Sequence, residues 1–143
     1  DIVEVNLKAI FELSQIFAKK MIKNKIKGNI INISSQLGHT AAYNRTAYCM
    51  TKFGLEGLTR SMALDLAKYD IRVNTIAPTK TIVDPKELKK TKKRLNIIKS
   101  KIPLGKFSTV AEIAGIAFFL TSGVANSITG SSIISDGGWT AGK

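Results

Sequence analysis

Apolar residues follow a helical stripe over residues 1 to about 24. Val3, Leu7, Ile10, Phe11 and Phe17 carry it, while Lys19, Lys20, Lys23 and Lys25 gather toward its C-terminal end. This predicts an amphipathic helix whose last cations complement the helix dipole, with Gly28 as its stop. The pattern then changes to an isoleucine-rich run from Asn29 to Ile33, as expected of a strand buried on both faces, followed by a polar loop from Ser34 to His39. Helical spacing returns from about Arg45 to Lys68 with Phe53, Leu58, Met62 and Leu66 as the apolar stripe. Gly54 and Gly57 interrupt it, each costing about 1 kcal/mol relative to alanine, which suggests close approach of another helix or a backbone. A second buried strand is predicted over Ile71–Ile76, ending at Ala77-Pro78-Thr79.

Residues 79–108 are polar and lysine-rich, bounded by Pro78 and Pro103. A helix from Pro85 to Ser100 with Leu88, Leu95 and Ile98 inward is expected there, and the composition suits a flap over a site. Ser108 reads as the N-cap of a helix through Ile113, Ile116, Ala117 and Leu120, with Glu112 near its positive end. Thr129 to Gly138 gives a last short strand between glycine turns. Alternation of this kind predicts an α/β fold, a parallel sheet of about three strands with helices on both faces.

Composition fits one globular domain: 143 residues, 44% hydrophobic and 22% charged. No apolar run approaches the roughly 18 residues that span a membrane, and the first residues do not read as a signal peptide. Cys49 is the single cysteine, so neither an internal disulfide nor a cysteine-based zinc cluster is available, and a cytoplasmic setting is expected. The net charge of +12 raises a nucleic-acid reading. Zinc-finger spacing, an aromatic-interleaved basic strand and a recognition helix are all missing, however. A solvated lysine face, or a field that attracts an anionic cofactor or substrate, accounts better for the charge.

The candidate chemistry centres on Tyr48 and Lys52, four apart on the second helix and therefore on one face, with Ser35 at the end of the first strand. Tyrosine is a poor acid, with an ordinary pKa of roughly 10. An adjacent ammonium favours the phenolate and fits a phenol for proton transfer. A serine hydroxyl at the carboxyl end of a parallel strand stands where ligands bind in α/β sheets. Gln36, His39 and Arg45 are candidates for substrate contact, although His39, the single histidine, reads better as a locally bonded loop residue.

Several short motifs occur in a fixed order: Val5-Asn6-Leu7, Asn32-Ile33-Ser34-Ser35, Tyr48-Cys49-Met50-Thr51-Lys52, Ile71 to Pro78, Ile102-Pro103-Leu104-Gly105, Thr129-Gly130 and Asp136-Gly137-Gly138. Together they resemble the C-terminal, catalytic part of a short-chain dehydrogenase/reductase over essentially the whole chain. The resemblance implies part of a Rossmann-like doubly wound sheet, with residues 1–143 forming a single partial domain and 79–108 a substrate flap. It also implies reversible hydride transfer between NAD or NADP and an alcohol/carbonyl pair. Tyr48 would be the general acid/base, Lys52 would favour its phenolate and bind the nicotinamide ribose, Ser35 would steady the substrate oxygen, and Asn6 would hold a relay water. Asn32, Pro78, Thr79 and Thr81 would lie by the cofactor.

The family's usual Pro-Gly is Pro78-Thr79 here, and Val83 stands where a threonine is usual, with Thr81 nearby. No glycine-rich dinucleotide turn occurs, and in the family that turn precedes the segment matching Asp1, so the chain reads as truncated. The wording around Ser35 and Tyr48 resembles that of sugar, polyol or 3-oxoacyl reductases, and the family implies homodimers or homotetramers. Two other readings remain at this stage: a non-catalytic remnant serving as a scaffold, and a basic nucleic-acid binder.

Overall fold

The computed structural model describes residues 1–83, 86 and 92–142. A π-helical turn, Glu4–Lys8, leads into α1 (Ala9–Lys23). The strand β1 (Asn29–Ile33) and a 3-10 turn at Gln36–Gly38 follow, then the long helix α2 (Thr46–Leu66). Next come β2 (Arg72–Pro78), β3 (Thr81–Ile82), α3 (Lys92–Lys99), β4 (Ser108–Thr109), α4 (Val110–Thr121) and β5 (Ser132–Ser135).

The main sheet is parallel with β2 in the middle, in the order β1-β2-β5, and β3 pairs with β4 in a separate parallel ribbon. Asn29 stands opposite Arg72 and Ile33 opposite Ile76, while Thr75 stands opposite Ser132. Covered on both faces and paired on both edges, β2 buries every residue from Val73 to Ala77. Removing a side chain the size of Val73 or Ile76 from water contributes about 1.5–3 kcal/mol.

Alternation along the strands assigns the two helical layers. Val73 joins Met62, Ala63, Leu66 and Ala18 in the core beneath α1 and α2. Arg72 and Asn74 point the other way, where they donate to the carbonyls of Leu120 at the end of α4 and of Ile128 in the loop before β5. Along α4, Ile113, Ile116, Ala117 and Leu120 do form the inward stripe.

Other expectations are corrected. Helix α1 stops at Lys23 rather than at Gly28: the Asn24 side chain caps the Lys20 carbonyl, and Lys25 turns left-handed at φ 53°. Phe11 and Phe17 face solvent, and the buried positions of α1 are the small Ser14 and Ala18. Phe53 on α2 is likewise exposed. The buried face of α2 runs instead through Cys49, Lys52, Leu55, Glu56, Thr59, Met62, Ala63 and Leu66. The N-cap of α4 is Thr109, one residue after Ser108, because Glu112 sits three residues later and closes a reciprocal capping box. Ser108 is instead buried in β4 and donates to the Ser135 carbonyl at 2.7 Å. In the expected flap, Leu95 is buried, whereas Pro85 and Leu88 lie outside the described residues.

The two helix glycines have different causes. A β-carbon on Gly54 would stand 3.0 Å from Leu7 Cδ2, so this glycine lets the π-helical turn approach α2; a β-carbon on Gly57 would meet nothing within 4 Å. Gly57→Ala is therefore expected to raise stability by about 0.5–1 kcal/mol, and Gly54→Val to lower it by about 1–3 kcal/mol. Urea unfolding of the two variants measures both signs.

Candidate active site

The carboxyl ends of β1 and β2, the start of α2 and the end of α3 enclose a cavity of about 610 Å³. Ser35, Gln36, Arg45, Tyr48, Lys52, Pro78 and Thr79 all line it. Position in the sheet explains the gathering. Adjacent parallel strands end on the same side, and the first turns of α2 begin above them.

Ser35 is extended (φ −161°, ψ 155°), and its Oγ accepts from the Leu37 N–H at 3.1 Å, capping the 3-10 turn. The hydroxyl keeps its own O–H to donate. Lys52 is 7% exposed; its Nζ donates to the Ile33 carbonyl at 2.9 Å and stands 5.7 Å from the centroid of the Tyr48 ring. Burial pushes the Lys52 ammonium below its ordinary pKa, and the Glu56 carboxylate opposes that shift. Asn6, in the π-helical turn, donates to Thr51 Oγ1 at 3.4 Å, and the Thr51 hydroxyl donates to the Tyr48 carbonyl at 2.8 Å. Asn6 thus reaches the helix turn that carries Tyr48 without lining the cavity.

Three further candidates fall outside the lining. Asn32 points to the opposite face of β1, where it donates to Thr59 Oγ1 of α2 at 2.9 Å. The alternation that turns Ile33 one way turns its neighbour the other. His39 Nε2 lies 2.9 Å from Ser132 Oγ and 3.2 Å from Glu56 Oε1, which engages the imidazole inside the fold. The Thr81 hydroxyl donates back to the Thr79 carbonyl at 3.3 Å.

Three buried atoms of residues on the cavity wall, Ser34 Oγ, Gln36 Oε1 and Thr79 Oγ1, have no hydrogen-bond partner among the described residues. Such atoms cost about 1–3 kcal/mol each when left unpaired, and a polar ligand would relieve that cost. The wall therefore fits a cofactor or substrate bearing hydrogen-bonding groups. Among the described residues, no cluster of histidine, cysteine or carboxylate side chains could hold a metal ion, and no helix is long and apolar enough to cross a membrane.

A family profile described as Enoyl-(Acyl carrier protein) reductase matches residues 1–140. L-xylulose reductase of Mus musculus is 40% identical over 145 residues, covering 96% of this chain and 57% of its own length. Among solved structures, 4-hydroxyisoleucine dehydrogenase complexed with NADH superposes with a TM-score of 0.92 at 41% identity, covering 99% of this chain and 58% of that one. The chain belongs to the short-chain dehydrogenase/reductase family. It spans a little over half the length of these relatives. Another solved member, from Agrobacterium tumefaciens, holds bound NADP (35% identity, TM-score 0.90, 97% and 57% coverage).

Within this family framework, the structure adds cavity residues that the sequence did not single out. Tyr43, Ile97, Lys101 and Trp139 complete the wall. Trp139 is carried by the turn after β5, where Gly137 (φ 66°) and Gly138 (φ 91°) are left-handed. A β-carbon on Gly137 would collide with Ile102 Cγ2. Asp136 holds this turn from below. Its Oδ1 accepts from the Gly138 N–H at 2.9 Å, and its Oδ2 accepts from the Thr140 N–H at 2.8 Å and the Thr140 hydroxyl at 2.7 Å. The Asp136-Gly-Gly signature was the available signal, since a short carboxylate before two glycines marks a turn.

Burial alone would raise the Asp136 carboxyl, but the bonds from Thr140 and Gly138 outweigh it and hold the group below its ordinary pKa. Its contribution to stability is therefore present above the ordinary carboxylate value and is lost as pH falls through the lower, folded-state value. Asp136→Asn is expected to unfold more easily than the parent near neutral pH, with the gap closing in acid. Thermal unfolding across the acid range measures this.

Proposed function

We propose that this chain carries the proton-transfer machinery of an NAD(P)-dependent oxidoreductase that interconverts an alcohol and a carbonyl, acting on a sugar, polyol or 3-oxoacyl-type substrate. The observation carrying this reading is the convergence of Tyr48, Lys52 and Ser35 on one cavity beside partnerless polar atoms. Its sugar arm draws on the similarity to L-xylulose reductase, and its acyl arm on the matched family profile.

The nicotinamide, when bound, supplies or accepts the hydride. The residues of this chain handle the proton and the geometry. In the reducing direction the Tyr48 hydroxyl donates its proton to the oxygen of the substrate carbonyl, and the Lys52 ammonium steadies the phenolate left behind. The Ser35 O–H donates a hydrogen bond to the same oxygen and favours the charge that develops there. Oxidation reverses each transfer. Lys52, Pro78 and Thr79 are the residues that would meet the cofactor, with the Thr79 hydroxyl available as donor or acceptor. Asn6 acts through Thr51 on the turn that presents Tyr48.

Carbonyl-dependent consumption of NADH or NADPH, followed by absorbance, tests this reading. Tyr48→Phe is expected to cut turnover by about 10²–10⁴-fold while leaving cofactor affinity near the parent value. Lys52→Ala is expected to lose turnover and also weaken cofactor binding measured by calorimetry. Undiminished turnover in the phenylalanine variant would refute the acid/base role.

The same reading includes self-association through α1 and α2, both of which leave large apolar side chains in solvent. Phe11, Phe17, Met50 and Phe53 are each exposed by between 44% and 56%, more apolar surface than these two helices need for their own packing. Phe53→Glu is accordingly expected to shift the protein toward monomer in sedimentation.

A further inference from the structure

Glu56 is buried to 5% exposure on the face of α2 that meets the sheet. A carboxylate in that position is costly unless several groups satisfy it. Three separate elements do so. Thr75 on β2 donates its hydroxyl to Oε2 at 2.9 Å, Ser132 on β5 reaches Oε1 at 3.4 Å, and His39, which follows the 3-10 turn, places Nε2 3.2 Å from Oε1. Lys52 stands one turn earlier on the same helix, its ammonium nearly as buried, and the acceptor it meets, the Ile33 carbonyl, is neutral. Two opposite charges are thus withdrawn from water on one face of one helix, and only one of them borders the cavity.

We propose that Glu56 is a positioning residue for the Lys52 ammonium: anchored by Thr75, Ser132 and His39, its carboxylate supplies the fixed negative charge that keeps Lys52 charged and directed at the Ile33 carbonyl beside Tyr48. The inference rests on the proton-transfer reading for its consequence to catalysis, but not for the interaction itself. The groups facing Glu56 are few. On its own helix there is Lys52; from the 3-10 turn side there is the imidazole of His39; β2 and β5 present the hydroxyls of Thr75 and Ser132, which do not titrate in the working range. The cluster therefore has one carboxylate between two basic side chains.

An NMR pH titration of the full chain, with lysine labelled at Cε and without cofactor, follows Lys52 directly, its resonance being assigned by its loss in Lys52→Arg. Glu56→Gln, with its fold verified by its amide spectrum, is expected to move the Lys52 titration to lower pH; Glu56→Asp, which keeps the charge, is expected to restore it in large part. An unmoved Lys52 titration in a folded Glu56→Gln variant would overturn the proposal. If that variant does not fold, Thr75→Val decides: it removes an anchor of the carboxylate and keeps the charge, and it is expected to move the Lys52 titration. A Lys52 titration indifferent to Thr75→Val would overturn the proposal equally. Should Tyr48→Phe keep its turnover while Lys52 still responds to Glu56, the acid/base reading fails and this coupling stands.

Discussion

The 2.9 Å hydrogen bond from the Lys52 ammonium to the Ile33 carbonyl is the joint between the scaffold and the cavity. It fixes the first turns of α2 over the carboxyl end of β1, and so sets where Tyr48 stands relative to Ser35. A charged donor to a carbonyl is worth more than a neutral pair because the donor is ionised, and at the strand end it also satisfies the oxygen of the last residue. Moving Lys52 by one helical position would break the bond and turn Tyr48 off the cavity together with it, since both belong to one face of α2. The buried central strand β2 holds the other side of the joint, because Ser34 donates its N–H to the Ile76 carbonyl at 2.8 Å as the chain leaves β1.

Packing around α2 follows from that requirement. The helix has to bury Lys52, Glu56 and Thr59 along with Leu55, Met62 and Leu66, so the half nearest the cavity is cemented by polar bonds and the far half by apolar contact. Helix α1 approaches through small residues and the gap left at Gly54, which brings Asn6 within reach of Thr51. The π-helical turn at Glu4–Lys8 carries Asn6 on the side that meets α2. Phe11 and Phe17 are displaced outward by the same close approach, because a bulky side chain between the helices would separate them.

The elements most legible in the sequence were those whose burial is apolar. Asn29–Ile33 and the stripe of α4 could be read from hydropathy alone, as could the order of elements that yields a parallel sheet. The inward face of α2 was misread at Phe53 because four of its buried positions are polar, and three of them, Lys52, Glu56 and Thr59, bond to distant partners. Their partners, the Ile33 carbonyl, Thr75 and Asn32, lie 19 to 27 residues away in sequence and leave no periodic trace. His39 illustrates the same blindness at greater range, with Ser132 93 residues distant. The N-cap of α4 was different, since its signal was present and misapplied. A reciprocal cap needs its acid three residues on, and that count selects Thr109 over Ser108. For the cavity, Tyr48, Lys52 and Ser35 were suggested by spacing and Pro78 and Thr79 by the family resemblance, whereas Tyr43, Ile97, Lys101 and Trp139 depend on how loops fold over the strand ends.

The cavity wall is built against its own stability. It carries a desolvated ammonium and partnerless oxygens on Gln36 and Thr79, none of which a core selected for folding alone would retain. The cost is borne by neighbours that do not touch the cavity: Glu56 beneath Lys52, Asp136 beneath the turn carrying Trp139, and the buried middle of β2, Val73 to Ala77. The carboxylates of Glu56 and Asp136 have their oxygens bonded, whereas the wall keeps unpaired atoms that a ligand can relieve. That division requires a rigid layer behind a polar surface. It also accounts for the bonded carboxylates of Glu56 and Asp136 standing next to, rather than in, the space where proton transfer would occur.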